Sequence, residues 1–339
     1  MDFNFSKKYI ESVIQLNQNN SEGDHIFFCS DVNYLKYVGV TITNILLIDK
    51  NKYIFHIFVD QITQDNLFRL RETAKYYNVN IYIYIIKKEF INAAKKASCT
   101  KSHLSDALGI ICFRFIAPQI INSINREKVL YLDVDIIVKK EINNIFKLDL
   151  KEKIVGAVED VSSDVLSNIW KTKKYFNSGV LLIDINKWRN ENITEKCLEM
   201  LNSNKFIYLD QDILNIVLNN NVNYISPIYN YQYSLSRIFN KGCACKKLNN
   251  DVIIYHFIGS DKPWHTWVQY IDIVKEYIYI YRKSFWNNIM FVSINDLDTE
   301  KQYKYMHRFS RNEFKNKNYP KSFYWFIKYI FNKIKYLIK

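Results

Sequence analysis

The sequence predicts an α/β protein in which helices flank a mostly parallel, layered sheet. The first observation behind this prediction is that apolar runs of strand length alternate with segments of helical periodicity. The second is that 48% of the 339 residues are hydrophobic, so the chain can bury a large core. The third is that only 7 Gly and 4 Pro occur, which excludes low-complexity linkers and collagen-like structure.

Each predicted element follows from its local pattern. Short apolar runs typical of buried strands fall at 25–30, 53–59, 79–86, 128–132, 153–158, 178–183 and 253–257. Segments with helical periodicity fall at 37–47, 64–77, 104–122, 192–203 and 210–219. After about residue 275 the alternation stops and the chain becomes aromatic and basic. We therefore expect a lead at 1–23, a main domain at 24–275 and a helical C-terminal region at 276–339.

The positive charge is concentrated near the C-terminus. Residues 301–339 contain eleven Lys and Arg and one acid, Glu313, so they carry +10 of the formal net charge of +13. A nearly neutral body with a basic tail is not typical of a nucleic-acid-binding domain, and we expect no nucleic-acid partner.

The last nineteen residues, KSFYWFIKYIFNKIKYLIK, predict a basic helix with much aromatic and aliphatic bulk. The polar residues on one side of this helix are Lys321, Lys328, Asn332, Lys335 and Lys339. Such a helix suits the plane of an anionic membrane surface, which is the interpretation that we favour. The alternative is that it packs on the main domain with its lysines in water.

The N-terminus predicts no targeting to the secretory pathway, because MDFNFSKKYIESVIQL contains acids and no apolar h-region. No apolar run approaches the ~20 residues that span a bilayer. The pair Cys243 and Cys245 is too closely spaced for an ordinary zinc knuckle, and no disulfide framework is indicated. We expect a cytoplasmic protein that lies peripherally on the inner membrane.

A divalent-cation site is the first candidate for chemistry. Asp133 and Asp135 follow a predicted strand, and side chains at i and i+2 of an extended segment point the same way. Two such carboxylates suit a hard cation, and ligands of open α/β sheets bind at this end of the strands. His256, after a later strand, could complete the site and would favour Mn²⁺ somewhat over Mg²⁺. The alternatives are a pair of solvated turn acids and a histidine held by a backbone carbonyl.

Other polar residues at strand or helix ends leave both a functional and a structural interpretation open. Gly259 would let the backbone approach a phosphate, and Lys262 would supply a charge for it. Asp31, Asn33 and Tyr34 could hold a uracil base or form a solvated turn. Asp210 and Asp212 open a helix, where acids are favoured by the helix dipole alone. Asn177 and Gly179 could form a plain turn before a strand.

Taken together and in this order, the motifs resemble those of glycosyltransferase family 8. The segments concerned are FCSDVNY, FRF, YLDVDIIV, GAVED, YFNSGVLLID, YLDQDILN and HFIGSDKPWHTW. Two further phrases, YNYQYSL and KPWHTW, resemble the bacterial lipopolysaccharide core hexosyltransferases of this family, and the resemblance covers roughly residues 24–339. It implies a Rossmann-like nucleotide-sugar transferase fold of the GT-A type, with a mixed sheet and a small, basic, helical C-terminal region.

The resemblance also implies roles for individual residues. Asp133, Asp135 and His256 would bind Mn²⁺ or Mg²⁺. The residues implied in holding the UDP-sugar are Cys29, Ser30, Asp31, Val32, Asn33, Tyr34, Arg114, Asp133, Val134, His256, Phe257, Ile258, Gly259, Ser260, Asp261 and Lys262. Asp160, Asn177 and Asp212 would contact the substrate. Asp210 and Gln211 would be catalytic, with Gln211 beneath the anomeric carbon.

The implied reaction is transfer of glucose or galactose from a UDP-sugar to a lipopolysaccharide core or another glycolipid, with retention at the anomeric carbon. Because Gln211 is an amide and a poor nucleophile, we favour front-face substitution, in which the departing β-phosphate accepts the proton of the attacking hydroxyl. Double displacement through Asp210 or Asp212 stays open. A different class also stays open, a catalytically silent scaffold that binds the UDP-sugar or the membrane.

Overall fold

The structure is a computed structural model, which describes residues 8–17, 22–97, 110, 112–121, 127–201, 206–241 and 248–338. Cys243 and Cys245 lie outside these residues, as does most of the predicted helix before residue 110. The strands are β1 (Ile10–Leu16), β2 (Asp24–Ser30), β3 (Tyr53–Val59), β4 (Asn80–Ile86), β5 (Lys128–Leu132), β6 (Ile136–Val138), β7 (Val155–Glu159), β8 (Phe176–Asp184), β9 (Val222–Tyr224), β10 (Tyr231–Gln232) and β11 (Ile254–His256).

The helices match most of the predicted periodic segments. They are α1 (Leu35–Ile48), α2 (Gln64–Tyr77), α3 (Lys88–Ala97), α4 (Phe113–Ile120), α5 (Ser163–Trp170), α6 (Ile185–Asn190), α7 (Ile193–Met200), α8 (Leu209–Leu218), α9 (Leu235–Lys241), α10 (Asp272–Lys283), α11 (Thr299–Lys315) and α12 (Tyr319–Leu337). Short 3₁₀ turns lie at Asn143–Lys147, Pro227–Tyr229, Thr266–Val268 and Ile294–Asp296.

The main sheet is mixed and has the strand order β1-β4-β3-β2-β5-β8-β7-β9. The neighbours among β4, β3, β2 and β5 are parallel, whereas β8 runs antiparallel to both β5 and β7. Every residue of β3 is buried, as expected for a strand in a sheet that is covered on both faces. This arrangement confirms the α/β class, and it brings the end of β5 beside the beginning of β8.

A second, three-stranded sheet fixes the position of His256. Strand β11 pairs antiparallel with β6, and His256 lies opposite Ile136, the residue after Asp135. Strand β10 pairs parallel with β11 on the other side, with Gln232 opposite His256. The backbone register therefore places His256 next to the loop that follows β5.

The predicted lead at 1–23 contains the edge strand β1, which the sequence pattern does not reveal. β1 pairs antiparallel with β4 at one edge of the main sheet. Glu11, Ser12 and Val13 are exposed in succession, so apolar and polar residues do not alternate regularly along it. The described part of the lead thus belongs to the main sheet.

The chain packs as two compact units that interleave along the sequence. The first comprises Met1–Gln232, Asp251–His256 and Ser284–Trp286, and the second comprises Tyr233–Asn250, Phe257–Lys283 and Asn287–Lys339. The predicted division at residue 275 falls inside α10. Residues of this helix before and after that position, such as Val274 and Tyr277, are buried. The change in composition there does not mark a break in secondary structure.

Within the second unit, α11 and α12 pack along each other. The Ser322 hydroxyl donates to the Ser310 carbonyl at 2.8 Å, and the Trp325 and Phe309 ring centroids lie 4.9 Å apart, edge to face. The side of α12 turned away from α11 exposes large apolar residues, among them Phe323, Ile327, Ile330, Phe331, Ile334 and Leu337. Among the described helices, none combines the length and the hydropathy that a membrane span requires.

Candidate active site

Three of the predicted residues converge at the end of β5. Single ligand atoms of Asp133, Asp135 and His256 all lie within 4.8 Å of one another. His256 Nε2 is 3.3 Å from Asp135 Oδ1 and 3.6 Å from Asp133 Oδ2. Two carboxylate oxygens and an imidazole nitrogen directed at one point form a donor set that Mn²⁺ and Mg²⁺ accept, and a cation there would relieve the repulsion among them. The residues present fit the metal that the resemblance implies.

The other ring nitrogen of His256 is held by a residue that the sequence interpretation missed. His256 Nδ1 lies 3.0 Å from Asn230 Oδ1, and the Asn230 side-chain amide donates to Asn177 Oδ1 at 2.9 Å. Both asparagines are buried. Asn230 lies within the quoted phrase YNYQYSL, but no local pattern in that phrase distinguishes it from its neighbours.

Gly179 in β8 permits the close approach of these groups. A Cβ atom at this position would lie 2.3 Å from His256 Cε1 and 2.8 Å from Asp133 Oδ2. Real Cβ atoms do not approach other atoms this closely, so a larger residue would displace the ligands. The role of Gly179 is therefore to leave room for the cluster, which a plain turn would not require.

Arg114 in α4 joins the cluster to the start of α8. Its guanidinium donates to Asp133 Oδ1 at 3.2 Å and forms an ion pair with Asp210 Oδ2 at 2.7 Å. It also donates to the Ser178 hydroxyl at 3.0 Å and lies 4.5 Å from the centroid of the Tyr131 ring. The Tyr131 hydroxyl in turn donates to Asp133 Oδ1. This planar cation thus fixes two carboxylates through separate nitrogens of one rigid group.

Asp210 is a buried carboxylate held by that ion pair. Burial raises the pKa of Asp210 to about 6, although the positive charge of Arg114 opposes the rise. The ion pair of its Oδ2 atom with Arg114 favours the charged form of this carboxylate.

Gln211 and Asp160 form a second polar group, beside Asn177. Gln211 Oε1 accepts from the Ser178 amide at 2.9 Å, and its amide group donates to Asp160 Oδ2 at 3.4 Å. Asn177 donates to the same Asp160 oxygen at 3.0 Å. The fold therefore brings the predicted residues Asp160, Asn177 and Gln211 together.

Asp212 is placed differently from Asp210. Its side chain is fully buried, and one oxygen accepts from the backbone amides of Ile207 and Tyr208, both at 2.7 Å. The hydroxyl of Tyr175 donates to the other oxygen. These bonds hold the turn that leads into α8, and they do not support the predicted contact between Asp212 and a substrate.

The loop after β2 is braced by a hydrogen bond to Asp60, the residue after β3, and by another within the loop itself. The Val32 amide donates to Asp60 Oδ1 at 2.9 Å, and the Tyr34 amide donates to Asp31 Oδ1 at 2.7 Å. The Tyr34 ring is 45% exposed, whereas Cys29 and Ser30 lie at the end of the strand, mostly away from solvent. An exposed ring on a braced loop could stack on a base, as the resemblance implies for residues 29–34.

The segment after His256 belongs to the second unit. Gly259 has φ of +90°, a conformation that L-residues rarely adopt. The Asp261 carboxylate is fully buried and accepts from Arg308 at 2.6 Å, from Tyr305 at 2.8 Å and from Trp267 at 3.1 Å. Asp261 therefore ties this segment to α11, and its carboxylate is not available to a nucleotide. Lys262 Nζ donates to the Phe257 carbonyl at 2.8 Å.

A mixed α/β sheet with three candidate cation ligands at the end of a central strand, beside an arginine and further acids, is the arrangement that the resemblance implies for a glycosyltransferase of the GT-A type. The comparisons with known proteins agree: the profile of Glycosyl transferase family 8 matches residues 25–268. The chain therefore belongs to glycosyltransferase family 8.

Individual relatives are similar over most of the chain. A lipopolysaccharide 1,3-galactosyltransferase of Salmonella typhimurium is 32% identical in an alignment of 290 positions that covers 78% of this chain and 82% of the relative. A lipopolysaccharide 1,2-glucosyltransferase of Escherichia coli is 28% identical, over 81% of this chain and 83% of the relative. The galactosyltransferase LgtC, solved with donor and acceptor sugar analogues, shares the fold with a TM-score of 0.63 at 21% identity, covering 77% of this chain and 96% of LgtC.

Proposed function

We propose that the protein is a retaining hexosyltransferase that moves glucose or galactose from a UDP-sugar to a lipopolysaccharide or lipooligosaccharide core acceptor, with Mn²⁺ or Mg²⁺ as cofactor. The observation that carries the proposal is the convergence of Asp133, Asp135 and His256 beside Arg114. The two hexoses and the acceptor class are those of the similar transferases of Salmonella typhimurium and Escherichia coli.

The cation would be held by Asp133, Asp135 and His256, and when bound it supplies Lewis-acid neutralisation of a diphosphate leaving group. Arg114 keeps Asp133 in position through its own hydrogen bond. The loop at 29–34 and Val134 are the surfaces that we assign to UDP. Asp160 and Asn177 are assigned to the hydroxyl groups of the donor sugar, because both are polar residues that meet beside Gln211.

The contacts of the neighbouring acids support front-face substitution. Asp210 is paired with Arg114, and Asp212 accepts from backbone amides, so a covalent intermediate would require either carboxylate to give up these contacts. The Gln211 amide is held by Ser178 and is a poor nucleophile. The acceptor hydroxyl would then attack from the side on which UDP leaves, and the β-phosphate would accept its proton.

The test of this function is a donor screen with the purified protein and a panel of UDP-sugars, in Mn²⁺ and in EDTA. We expect turnover of UDP-glucose or UDP-galactose that EDTA abolishes. Asp135→Ala should abolish turnover without unfolding the protein. Asp164→Ala, at an exposed position in α5, should leave turnover unchanged. Full turnover in EDTA would refute the metal assignment, and UDP-sugar binding without any turnover would support the scaffold alternative.

We further propose that α12 holds the enzyme on the anionic, cytoplasmic face of the inner membrane. Lys321, Lys328 and Lys335 are seven residues apart, so they form one exposed row along the helix. The exposed apolar side chains lie beside this row, and the remaining side packs on α11. Each lysine near an anionic leaflet contributes about 1 kcal/mol, which salt screens.

The membrane proposal is best tested by substitution, because a truncation at about residue 300 would also remove Tyr305 and Arg308, two partners of Asp261. Phe323, Phe331 and Leu337 are 66%, 70% and 70% exposed, so changing all three to Ser should leave the fold intact. We expect this variant to lose sedimentation with phosphatidylglycerol vesicles and to retain UDP-sugar turnover. Phe68→Ser, at a phenylalanine 57% exposed on α2, is the matched control. Equal sedimentation of both variants would refute the proposal.

A further inference from the structure

The orientation of the Asn177 side chain is determined by two hydrogen-bonding partners, one that can only donate and one that accepts. Its Oδ1 accepts from the backbone amide of Gly179 at 3.1 Å, and its Nδ2 donates to the Asp160 carboxylate at 3.0 Å. A backbone N–H can only donate, and a carboxylate can only accept. The oxygen and nitrogen of Asn177 therefore cannot be exchanged.

This orientation determines that of Asn230. The Asn177 oxygen must face a donor, so the Asn230 atom 2.9 Å away is its nitrogen, and the Asn230 oxygen faces His256 Nδ1 at 3.0 Å. An oxygen in that position requires Nδ1 to carry a proton. In the neutral imidazole the lone pair is then on Nε2, the nitrogen that lies 3.3 Å and 3.6 Å from the two aspartates.

The contacts close into a ring. The Asp133 amide donates to the Gly179 carbonyl at 2.8 Å, the Gly179 amide donates to Asn177, and Asn177 is joined through Asn230 to His256. His256 returns to the Asp133 carboxylate. Asn230 is 1% exposed and His256 is 4% exposed, so water does not compete for these bonds.

We infer that Asn230 is a positioning residue, which selects the tautomer of His256 that presents a bare Nε2 to the cation. It also links the metal ligand to the Asn177–Asp160 pair that we assign to the donor sugar, and this part rests on the proposed function. Residues that orient a ligating histidine through its second nitrogen typically contribute ~10–100-fold to metal affinity.

The experiment compares Asn230→Ala and Asn230→Asp with wild type. The Ala variant removes the acceptor for Nδ1–H, whereas the Asp variant keeps an acceptor, loses the donor to Asn177 and adds a buried negative charge. Asn223→Ala is the matched control, because Asn223 in β9 also makes a side-chain hydrogen bond, to the carbonyl of Asp149 at 2.9 Å. Two measurements are made without substrate: Mn²⁺ affinity from the electron paramagnetic resonance of free Mn²⁺, and the His256 tautomer from ¹⁵N NMR of the metal-free protein.

Asn230→Ala should lose about 10–100-fold in Mn²⁺ affinity and show a mixture of His256 tautomers. Asn230→Asp should keep the Nδ1-protonated tautomer and bind Mn²⁺ at least ten times more tightly than the Ala variant, and Asn223→Ala should match wild type. The inference is overturned if the Ala variant retains wild-type affinity and tautomer, or if the Asp variant loses both as fully as Ala. The NMR result stands apart from the proposed function, since it applies even to a wild-type protein that binds no Mn²⁺.

Discussion

Replacing Gly179 by Ala is the sharpest perturbation of the cluster that the chain offers. The added Cβ would lie 2.3 Å from His256 Cε1 and 2.8 Å from both His256 Nδ1 and Asp133 Oδ2. Ordinary contacts of a Cβ atom begin near 3.4 Å, so the imidazole must move by about 1 Å. The imidazole cannot move by this amount and keep its 3.0 Å contact with Asn230.

The expected magnitude follows from the cost of overpacking. Inserting a methyl group into a packed site costs about 1–3 kcal/mol. If the free energy of Mn²⁺ binding becomes less favourable by this amount, Mn²⁺ affinity falls roughly 5- to 150-fold, since about 1.4 kcal/mol corresponds to a factor of ten. Transfer should fall at least as far, because a displacement of about 1 Å among reacting groups can by itself cost ~100-fold.

The control is a second glycine in the same sheet. At Gly156 in β7 a Cβ atom would lie 2.9 Å from Leu150 Cδ2 and 3.3 Å from Ile225 Cγ2, both of them ends of side chains. Gly156→Ala should therefore lower the melting temperature without changing Mn²⁺ affinity. Calorimetric Mn²⁺ titration and a UDP-release assay on both variants decide the matter. Wild-type metal affinity in Gly179→Ala, or an equal loss in Gly156→Ala, would refute the reasoning.

Three other substitutions separate catalysis from stability. Arg114→Lys should reduce kcat/KM for transfer roughly 30-fold, because losing one charge-assisted hydrogen bond costs about 2 kcal/mol. Steady-state kinetics would detect this loss, and an unchanged kcat/KM would contradict the role of Arg114. Asp212→Ala should lower the free energy of unfolding by about 3 kcal/mol in urea titration, since it leaves buried donors such as the Tyr175 hydroxyl unpaired. Burial, together with His25, holds the pKa of His56 well below its usual value, so the unfolded chain binds a proton below about pH 6.5 that the folded chain does not. Stability should thus fall by up to about 1.4 kcal/mol per pH unit on acidification, and His56→Gln should flatten this slope.

Local patterns were sufficient to predict the central strands of the fold. β2, β3 and β5 are continuous apolar runs because both of their faces are covered, so their burial is evident from composition alone. β1 escaped prediction because its outer edge faces water and three successive residues are exposed. An edge strand takes its conformation from its partner, here β4, and that partner is distant in sequence.

The residues of the site likewise divide into those that local spacing predicts and those that only the completed fold reveals. The i, i+2 spacing of Asp133 and Asp135 was informative because both lie on extended chain, where such residues share a side. The same spacing in Asp210 and Asp212 lies on a helix, where two residues span about 200°, so only one of them can face the site. Asn230 could not be predicted, because its function depends on a contact with His256 that only the completed fold creates.

The three candidate ligands lie far apart along the chain, and this separation has a consequence for biosynthesis. Asp133 and Asp135 follow β5, whereas His256 ends β11, after most of the main sheet has been made. During translation, a chain that ends before His256 would hold only two carboxylates, which bind a cation weakly in water. Tight Mn²⁺ binding would therefore begin only after β11 pairs with β6, and from then on the ion would stabilise the folded state by mass action. On the proposed function, Mn²⁺ would thus stabilise the fold of completed chains and not that of unfinished ones.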